Sequence, residues 1–341
     1  MSKDVYDFEL ATIFEGTWQY FVPTTSVSEP GMVATGTVGS VPIVVARGQD
    51  GKLHGSVNVC RHRAYTVVDE GTTHCKNFRC KYHQWVYRLD GSLLRAPDVE
   101  DDAGFDKSEY GLLPISVEEW GPAVFVNTDP NAPSLLTAMP QLDHFADMRG
   151  FNRSVDDYEF HSVYIKEMQA NWKLWYDNGV ECYHCASIHP DTFFAAFQTT
   201  TGDKQDSKQS GLVLSSNFEA PDIPREGLPP VTYCKTIWPF PGGMFVQQDD
   251  MMMLSRMTPT GPDSCKFIAH YFGEKGSDPK NTDFWVDIYN RTFDEDAQAV
   301  EVQQRNLGAS GLPNFRYSQA REHPNIYVAR LICDFYEKSL T

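Results

Sequence analysis

Apolar positions fall into three patterns along the chain. Between Asp4 and Tyr20, the residues Phe8, Leu10, Ile13, Phe14 and Trp18 recur at roughly helical spacing, which predicts a short amphipathic helix. From Met32 the pattern changes. Val33, Val38, Ile43, Val44 and Val45 sit among Gly36, Gly39 and Gly48, and turn signals follow at Gln49-Asp50-Gly51, Asp90-Gly91 and Gly121-Pro122. These short runs predict an all-β module that ends near Asn127, with the Pro-rich stretch 129–133 as a linker. In the third region, residues 171–197 read as helical, with Trp172, Leu174, Trp175 and Val180 apolar. A polar stretch over 199–208 and a Pro-rich one over 221–230 predict a long loop or lid. Strand-like segments follow at 231–238, 244–248, 251–257 and 265–272, then a helix over about 283–307. No internal repeat is visible.

The 341 residues suit two domains or one large one. A chain of this length buries enough surface to need no staples. Lys+Arg number 29 and Asp+Glu 46, a net charge of −17. Such a surface repels phosphate backbones and anionic lipid, so neither nucleic acid nor a membrane is expected as a partner. No apolar run approaches the roughly 20 residues of a membrane helix. The acidic start, Met1-Ser2-Lys3-Asp4, lacks the apolar stretch of a signal peptide, so a cytoplasmic location is expected. In that reducing setting the eight cysteines read as ligands or buried thiols rather than disulfides.

Cys60-Arg61-His62 is followed after 17 residues by Cys80-Lys81-Tyr82-His83. Each loop offers one thiolate and one imidazole. A structural zinc site more often groups its cysteines apart from its histidines. Mixed loops suit a [2Fe–2S] centre with two Cys on one iron and two His on the other. Neutral imidazoles leave less negative charge on such a cluster and raise its potential. Val59-Cys60-Arg61-His62-Arg63, Cys80-Lys81-Tyr82-His83-Gln84-Trp85 and Tyr87-Arg88-Leu89-Asp90-Gly91 resemble the Rieske domain of the Rieske non-heme iron oxygenases. That family usually has Pro where Lys81 stands and Gly where Gln84 stands. Gln84 must therefore make a close backbone turn while carrying a side chain.

The second constellation begins at Asn171-Trp172-Lys173 and continues through Asp177-Asn178, Glu181, His184, His189 and Pro190. Glu181 and His184 are three apart and share a helix face. His184 and His189 are five apart, about 140° around an ideal helix, so the helix must bend or end there. Two His and one carboxylate on one face of an iron form the facial triad of non-heme Fe(II) oxygenases. Candidates for the carboxylate are Asp294, Glu295 and Asp296. The family pattern Glu-Asp-x₄-Glu-x-Gln, matched by Glu295-Asp296 through Glu301 to Gln303, favours Asp296. Cys182-x-x-Cys185 brackets His184 and reads as two buried small side chains rather than a zinc or redox pair.

The resemblance covers about Phe14 to Tyr336 and implies an α+β protein. An all-β Rieske [2Fe–2S] domain would span 35–128. A helix-grip catalytic domain with an antiparallel sheet would take 1–34 and 129–341. The implied ligands are Cys60, His62, Cys80 and His83 for the cluster, and His184, His189 and Asp296 for mononuclear Fe(II). In the family an acidic residue at the place of Glu181 bridges a cluster His of one subunit to an iron His of its neighbour. The implied electron path therefore runs from His83 through Glu181 to His184 across a homotrimer. The chain shows no dinucleotide fingerprint and no plant-type ferredoxin spacing, so NAD(P)H electrons would come through a separate flavin- or ferredoxin-type reductase.

Glu in place of the usual Asp resembles the branch acting on quaternary ammonium compounds such as carnitine and glycine betaine. The expectation is an O₂-dependent monooxygenase that hydroxylates or removes a methyl group of a small molecule. Phe194, Phe197, Trp238, Phe240 and Phe245 are the aromatic candidates for the pocket wall, where they would hold a methylated ammonium by cation–π contacts. Ring hydroxylation of an aromatic acid, and a non-catalytic [2Fe–2S] electron carrier, are the competing readings.

Overall fold

Nine short strands take up the β-rich region of the computed structural model, which describes residues 1–197, 206–219, 232–309 and 314–338. They are β1 (Gln19–Pro23), β2 (Val33–Val38), β3 (Val41–Arg47), β4 (Leu53–Val57), β5 (Phe78–Arg79), β6 (Val86–Tyr87), β7 (Leu93–Arg95), β8 (Pro114–Trp120) and β9 (Ala123–Asn127). Six form an antiparallel sheet in the order β1-β9-β8-β4-β3-β2, and β5-β6-β7 form a second small sheet. Phe21, Ile43, Val45, Val124 and Val126 are buried together in one cluster. Val44, Phe78, Trp85 and Tyr87 are buried in another, which also holds Cys60 and Cys80. The two Cys/His loops thus grow out of packed strands.

Contacts divide the chain into one unit of Phe8–Ala138 and another of Met1–Asp7 with Met139–Thr341. The sequence reading set its boundaries at residues 35 and 128, and β1 accounts for the difference at the first. Its Gln19 and Tyr20 pair with Val126 and Phe125 of β9, which ties residues 8–34 to the first unit. The expected helix over 4–20 is shorter: α1 (Lys3–Glu9) runs into one π-type turn, Leu10–Phe14, before β1 begins.

In the second unit seven strands form one antiparallel sheet. They are β10 (Tyr158–Met168), β11 (Asp206–Ser210), β12 (Val213–Glu219), β13 (Tyr233–Pro239), β14 (Gly243–Gln248), β15 (Met251–Gly261) and β16 (Ser264–Glu274). Their order is β10-β16-β15-β14-β13-β12-β11. The helices are α2 (Leu135–Ala138) in the first unit, then α3 (Gln141–Arg149), α4 (Trp172–Gly179), α5 (Cys185–Ile188), α6 (Phe193–Phe197), α7 (Pro279–Leu307) and α8 (His323–Lys338). The helical run read over 171–197, which had to bend or end by His189, is three pieces, α4, α5 and α6. The expected lid segments 199–205 and 221–230 lie outside the described residues.

The start of α7 is set by Asp278, whose carboxylate accepts from the Lys280 amide at 3.1 Å, with Pro279 in the first turn. Trp285, Ile288, Tyr289, Phe293, Ala297 and Val300 make its buried stripe. Asp296 lies on that stripe, a charged residue at a core position. α7 packs against β10, β15 and β16 on one side and against α4, α5 and α6. An α+β architecture with a long helix against an antiparallel sheet follows. Among the described residues, no helix is long and apolar enough to cross a membrane.

Candidate functional site

The two Cys/His loops share one backbone geometry. Cys60 N–H donates to Tyr65 O at 2.8 Å, and Cys80 N–H donates to Trp85 O at 2.9 Å. Four residues after each Cys, Ala64 and Gln84 donate back to the Cys carbonyl at 3.0 and 3.1 Å. Both of those residues are left-handed, with φ of 54° and 62°. Gln84 makes the turn that a glycine would make freely. Its side chain folds back on the loop, donating to Lys81 O at 3.3 Å and accepting from Arg79 at 3.4 Å.

The loops bring the His62 and His83 rings to 4.5 Å between centroids. The Nδ1 atoms of both are buried without a hydrogen-bond partner. A buried imidazole nitrogen left unpaired is costly unless a metal takes it. The two thiols lie in hydrogen-bonding reach of each other, and the Tyr82 and His83 amides point at Cys80 Sγ. Tyr87 Oη sits 3.2 Å from Cys60 Sγ and accepts from the Arg61 amide at 3.1 Å. Trp85 stacks on His62 at 5.0 Å. Two thiols facing two free imidazole nitrogens fit a [2Fe–2S] group.

The second site is built from helix ends. Asn171 caps α4 through its side chain, which accepts from the Lys173 amide at 3.0 Å. After Gly179 the chain leaves the helix, then makes the single turn α5. His184 precedes that turn and His189 closes it, with the His189 amide on Cys185 O at 3.0 Å. This one turn resolves the five-residue step and sets the two rings 5.1 Å apart. Asp296 arrives from α7. Ligating atoms of His184, His189 and Asp296 all lie within 4.8 Å of one another, a set that could hold a metal ion. Asp296 Oδ1 is 3.3 Å from His184 Nε2 and 3.0 Å from His189 Nε2. Asn178 donates to the same oxygen at 2.7 Å. Of the other carboxylate candidates, Asp294 pairs with Lys166 and Tyr164, and Glu295 meets the far side of His189.

Glu181 Oε1 sits 2.5 Å from His184 Nδ1, and its Oε2 accepts from the Tyr183 amide. Burial alone would lower the His184 pKa, but Asp296 and Glu181 outweigh it and raise it to about 10. Burial would raise that of Asp296, and the two histidines instead hold it down to about 2. Two His and a carboxylate with a free side fit a divalent iron. Cys182 and Cys185 are not separate thiols as expected: they form a disulfide, with Cα atoms 5.0 Å apart. The spacing Cys-x-x-Cys allowed this, and the turn into α5 brings the side chains together.

A cavity opens beside these ligands. Its floor comes from sheet residues that share one face: Ser216, Thr236 and Val246 are direct cross-strand partners and all three line it. Trp238, two residues on from Thr236, lines it too, as do Phe193, Phe218, Tyr289 and Phe293. Phe245 and Phe240, expected in the wall, are core residues instead. Phe245 pairs with Ile237, on the opposite face of the sheet, and is fully buried. Phe240 stacks on Phe335 at 5.8 Å and meets Trp172 and Tyr176 edge-on. The side chains of Phe194 and Phe197 lie outside the described residues. Tyr289 and Phe293 were not anticipated; Asn178 was noted only as part of the motif, not as a partner of Asp296. Tyr289 and Phe293 share the helical stripe of Asp296, and that spacing was the available signal.

Two outcomes are expected. Gln84→Gly should relieve a left-handed side-chain residue and stabilise the cluster-loaded chain by about 1 kcal/mol, read as a higher temperature for thermal bleaching of the cluster. In the metal-free chain, the raised His184 pKa contributes stability that is full below 6.5 and is lost as pH rises towards 10. Metal loading at pH 7 should therefore displace a proton from His184. An indicator dye in weak buffer should show that release at pH 7, about half of it near pH 10 and none well above pH 10.

The profile described as "Rieske [2Fe-2S] domain" matches residues 17–113. The one described as "Ring hydroxylating alpha subunit (catalytic domain)" matches residues 153–337. The carnitine monooxygenase oxygenase subunit of Acinetobacter baumannii is 28% identical over 98% of this chain and 93% of its own length. The glycine betaine monooxygenase oxygenase subunit of Pseudomonas aeruginosa is 33% identical over 64% of this chain, which spans about half (51%) of that relative. A solved quaternary ammonium Rieske monooxygenase superposes with a TM-score of 0.87 at 25% identity, covering 98% of this chain and 93% of that one. With the Cys/His loops on strands and the His/His/Asp set between helix and sheet, the chain belongs to the Rieske ring-hydroxylating oxygenase alpha-subunit family and is an oxidoreductase.

Proposed function

We propose that this chain is the terminal oxygenase of a multicomponent system that monooxygenates a methyl group of a small quaternary ammonium compound. The observation that carries the reading is the His184/His189/Asp296 set opening onto an aromatic cavity, in a chain similar over nearly its whole length to a carnitine monooxygenase subunit. Cys60, His62, Cys80 and His83 would hold the cluster. His184, His189 and Asp296 would hold the mononuclear iron, which supplies activation of O₂ when bound.

The cavity residues have a distinct task. Phe193, Phe218, Trp238 and Phe293 line the cavity, where aromatic ring faces favour a methylated cation and the rings exclude water. Glu181 and Asp296 add negative charge at the cavity's metal end. Glu181 holds the proton on His184 Nδ1 and leaves Nε2 facing the centre. Its contact with His184 supports the bridging role, with His83 of a neighbouring copy as the other end in a homotrimer. Electrons would come from NAD(P)H through a separate flavin- or ferredoxin-type reductase. A cytoplasmic setting is in keeping with ligand thiols at Cys60 and Cys80. The reaction consumes O₂, two electrons and two protons and yields a hydroxymethyl group and water. On a quaternary nitrogen that product collapses to a tertiary amine and formaldehyde.

The test is a product-mass screen of the iron-loaded protein with a surrogate reductase and NADH. The panel holds betaines, carnitine, choline and aromatic acids. The expected product is lighter by one CH₂ and accompanied by formaldehyde, or heavier by one oxygen where the hydroxylated amine survives. A hydroxylated aromatic acid alone would overturn the substrate class. Cys60→Ala or His83→Ala should abolish the visible absorbance. His184→Ala should lose the mononuclear iron and spare that absorbance. Glu181→Gln should keep both metals yet lose turnover on the order of 10- to 100-fold.

A further inference from the structure

Consecutive residues of α7 hold the two nitrogens of one imidazole. Asp296 Oδ1 lies 3.0 Å from His189 Nε2. Glu295 Oε2 lies 2.8 Å from His189 Nδ1. The same Glu295 oxygen accepts from Thr192 Oγ1 at 2.6 Å, and the Thr192 amide donates to the His189 carbonyl at 3.3 Å. His189 is only 1% exposed and Thr192 is fully buried, so neither can reorient without breaking this ring of contacts.

From this geometry we infer that Glu295 is a positioning residue for the mononuclear centre: its carboxylate, itself oriented by Thr192, fixes the tautomer and the ring plane of His189. The inference rests on the functional reading above, which makes His189 a metal ligand. A carboxylate on Nδ1–H puts the lone pair on Nε2, the atom that faces Asp296 and His184. It also makes that nitrogen a stronger donor. His184 is treated alike, with Glu181 on Nδ1 and the centre on Nε2. The two histidines are thus set by two glutamates. Glu181 comes from the same loop as its histidine, whereas Glu295 comes from a helix more than 100 residues away. Glu295 is not part of the His184, His189 and Asp296 set, and its Oε2 meets the outer nitrogen of His189 instead.

The test uses the full chain with its cluster oxidised and cobalt(II) as the probe metal. Cobalt affinity and the cobalt EPR signal are compared among wild type, Glu295→Gln, Glu295→Leu and Thr192→Val. His184→Ala marks the uptake that belongs to this site. Glu295→Leu removes the acceptor and should weaken binding roughly 10- to 100-fold and shift the signal. Glu295→Gln keeps a neutral acceptor of the same reach, so its loss should be smaller and its signal closer to wild type. Thr192→Val should fall between Gln and wild type. Cluster absorbance should not change in any of them, which separates a local effect from misfolding. Should Glu295→Leu fail to hold its cluster, Thr192→Val decides. Wild-type affinity and signal in Glu295→Leu, or in Thr192→Val where Leu misfolds, would overturn the inference alone. Cobalt uptake that His184→Ala leaves intact would overturn the metal-site reading, and this inference with it.

Discussion

Asp296 is a charge in a place built for an apolar side chain, and the second unit is arranged around that fact. It lies on the buried stripe of α7 between Phe293 and Val300. An isolated carboxylate so placed would take up a proton or destabilise its surroundings. Here three side chains converge on one oxygen: the imidazoles of His184 and His189 and the amide of Asn178. They come from α4 and from the turn around α5, so docking α7 against the sheet requires those two pieces to be in place. The break in the helical run after Gly179 has the same origin. An unbroken helix would carry His184 and His189 to different faces, and only one could reach Asp296.

The first unit places its four candidate ligands by other means. No buried charge draws them together. Two loops repeat one hydrogen-bond pattern, each closed by an amide bond to its own cysteine carbonyl and each passing through a left-handed residue. The strands beneath supply rigidity, and Trp85 and Tyr87 pack on the ligands from below. One candidate metal site is thus a set of helix ends held by electrostatics. The other is a pair of backbone turns held by sheet packing.

Most of this was legible along the chain. Cysteine and histidine in mixed loops are specified by local spacing, and so are the strands, whose ends fall within a few residues of the expected 244–248 and 265–272. Gln84 was also readable, because a side chain at a position that favours glycine leaves a visible departure. Four features were not. The side on which Phe245 and Trp238 fall depends on sheet register, and alternation marks two faces without saying which one meets the ligands. Phe240 lies beyond the end of its strand, where no alternation applies. Cys182 and Cys185 meet because a turn brings them together, and spacing alone does not show whether that turn forms. Residues 8–34 belong with the first unit through β1, a pairing with β9 across about a hundred residues that no local pattern announces.

The pocket floor and the ligand set come from different kinds of element. Ser216, Thr236, Trp238 and Val246 sit on strands; His184, His189 and Asp296 sit on or beside helices. Substitutions on the floor can therefore alter the shape of the chamber while the metal's own contacts stay as they are, which leaves substrate range open to drift within one chemistry. Length changes are another matter. One residue inserted into β13 would turn Ile237 inward and Trp238 outward and give the chamber a different lining in a single step, whereas two would restore the alternation. A lineage of this fold is thus free to explore by replacement and constrained against insertion along the strands that form its floor.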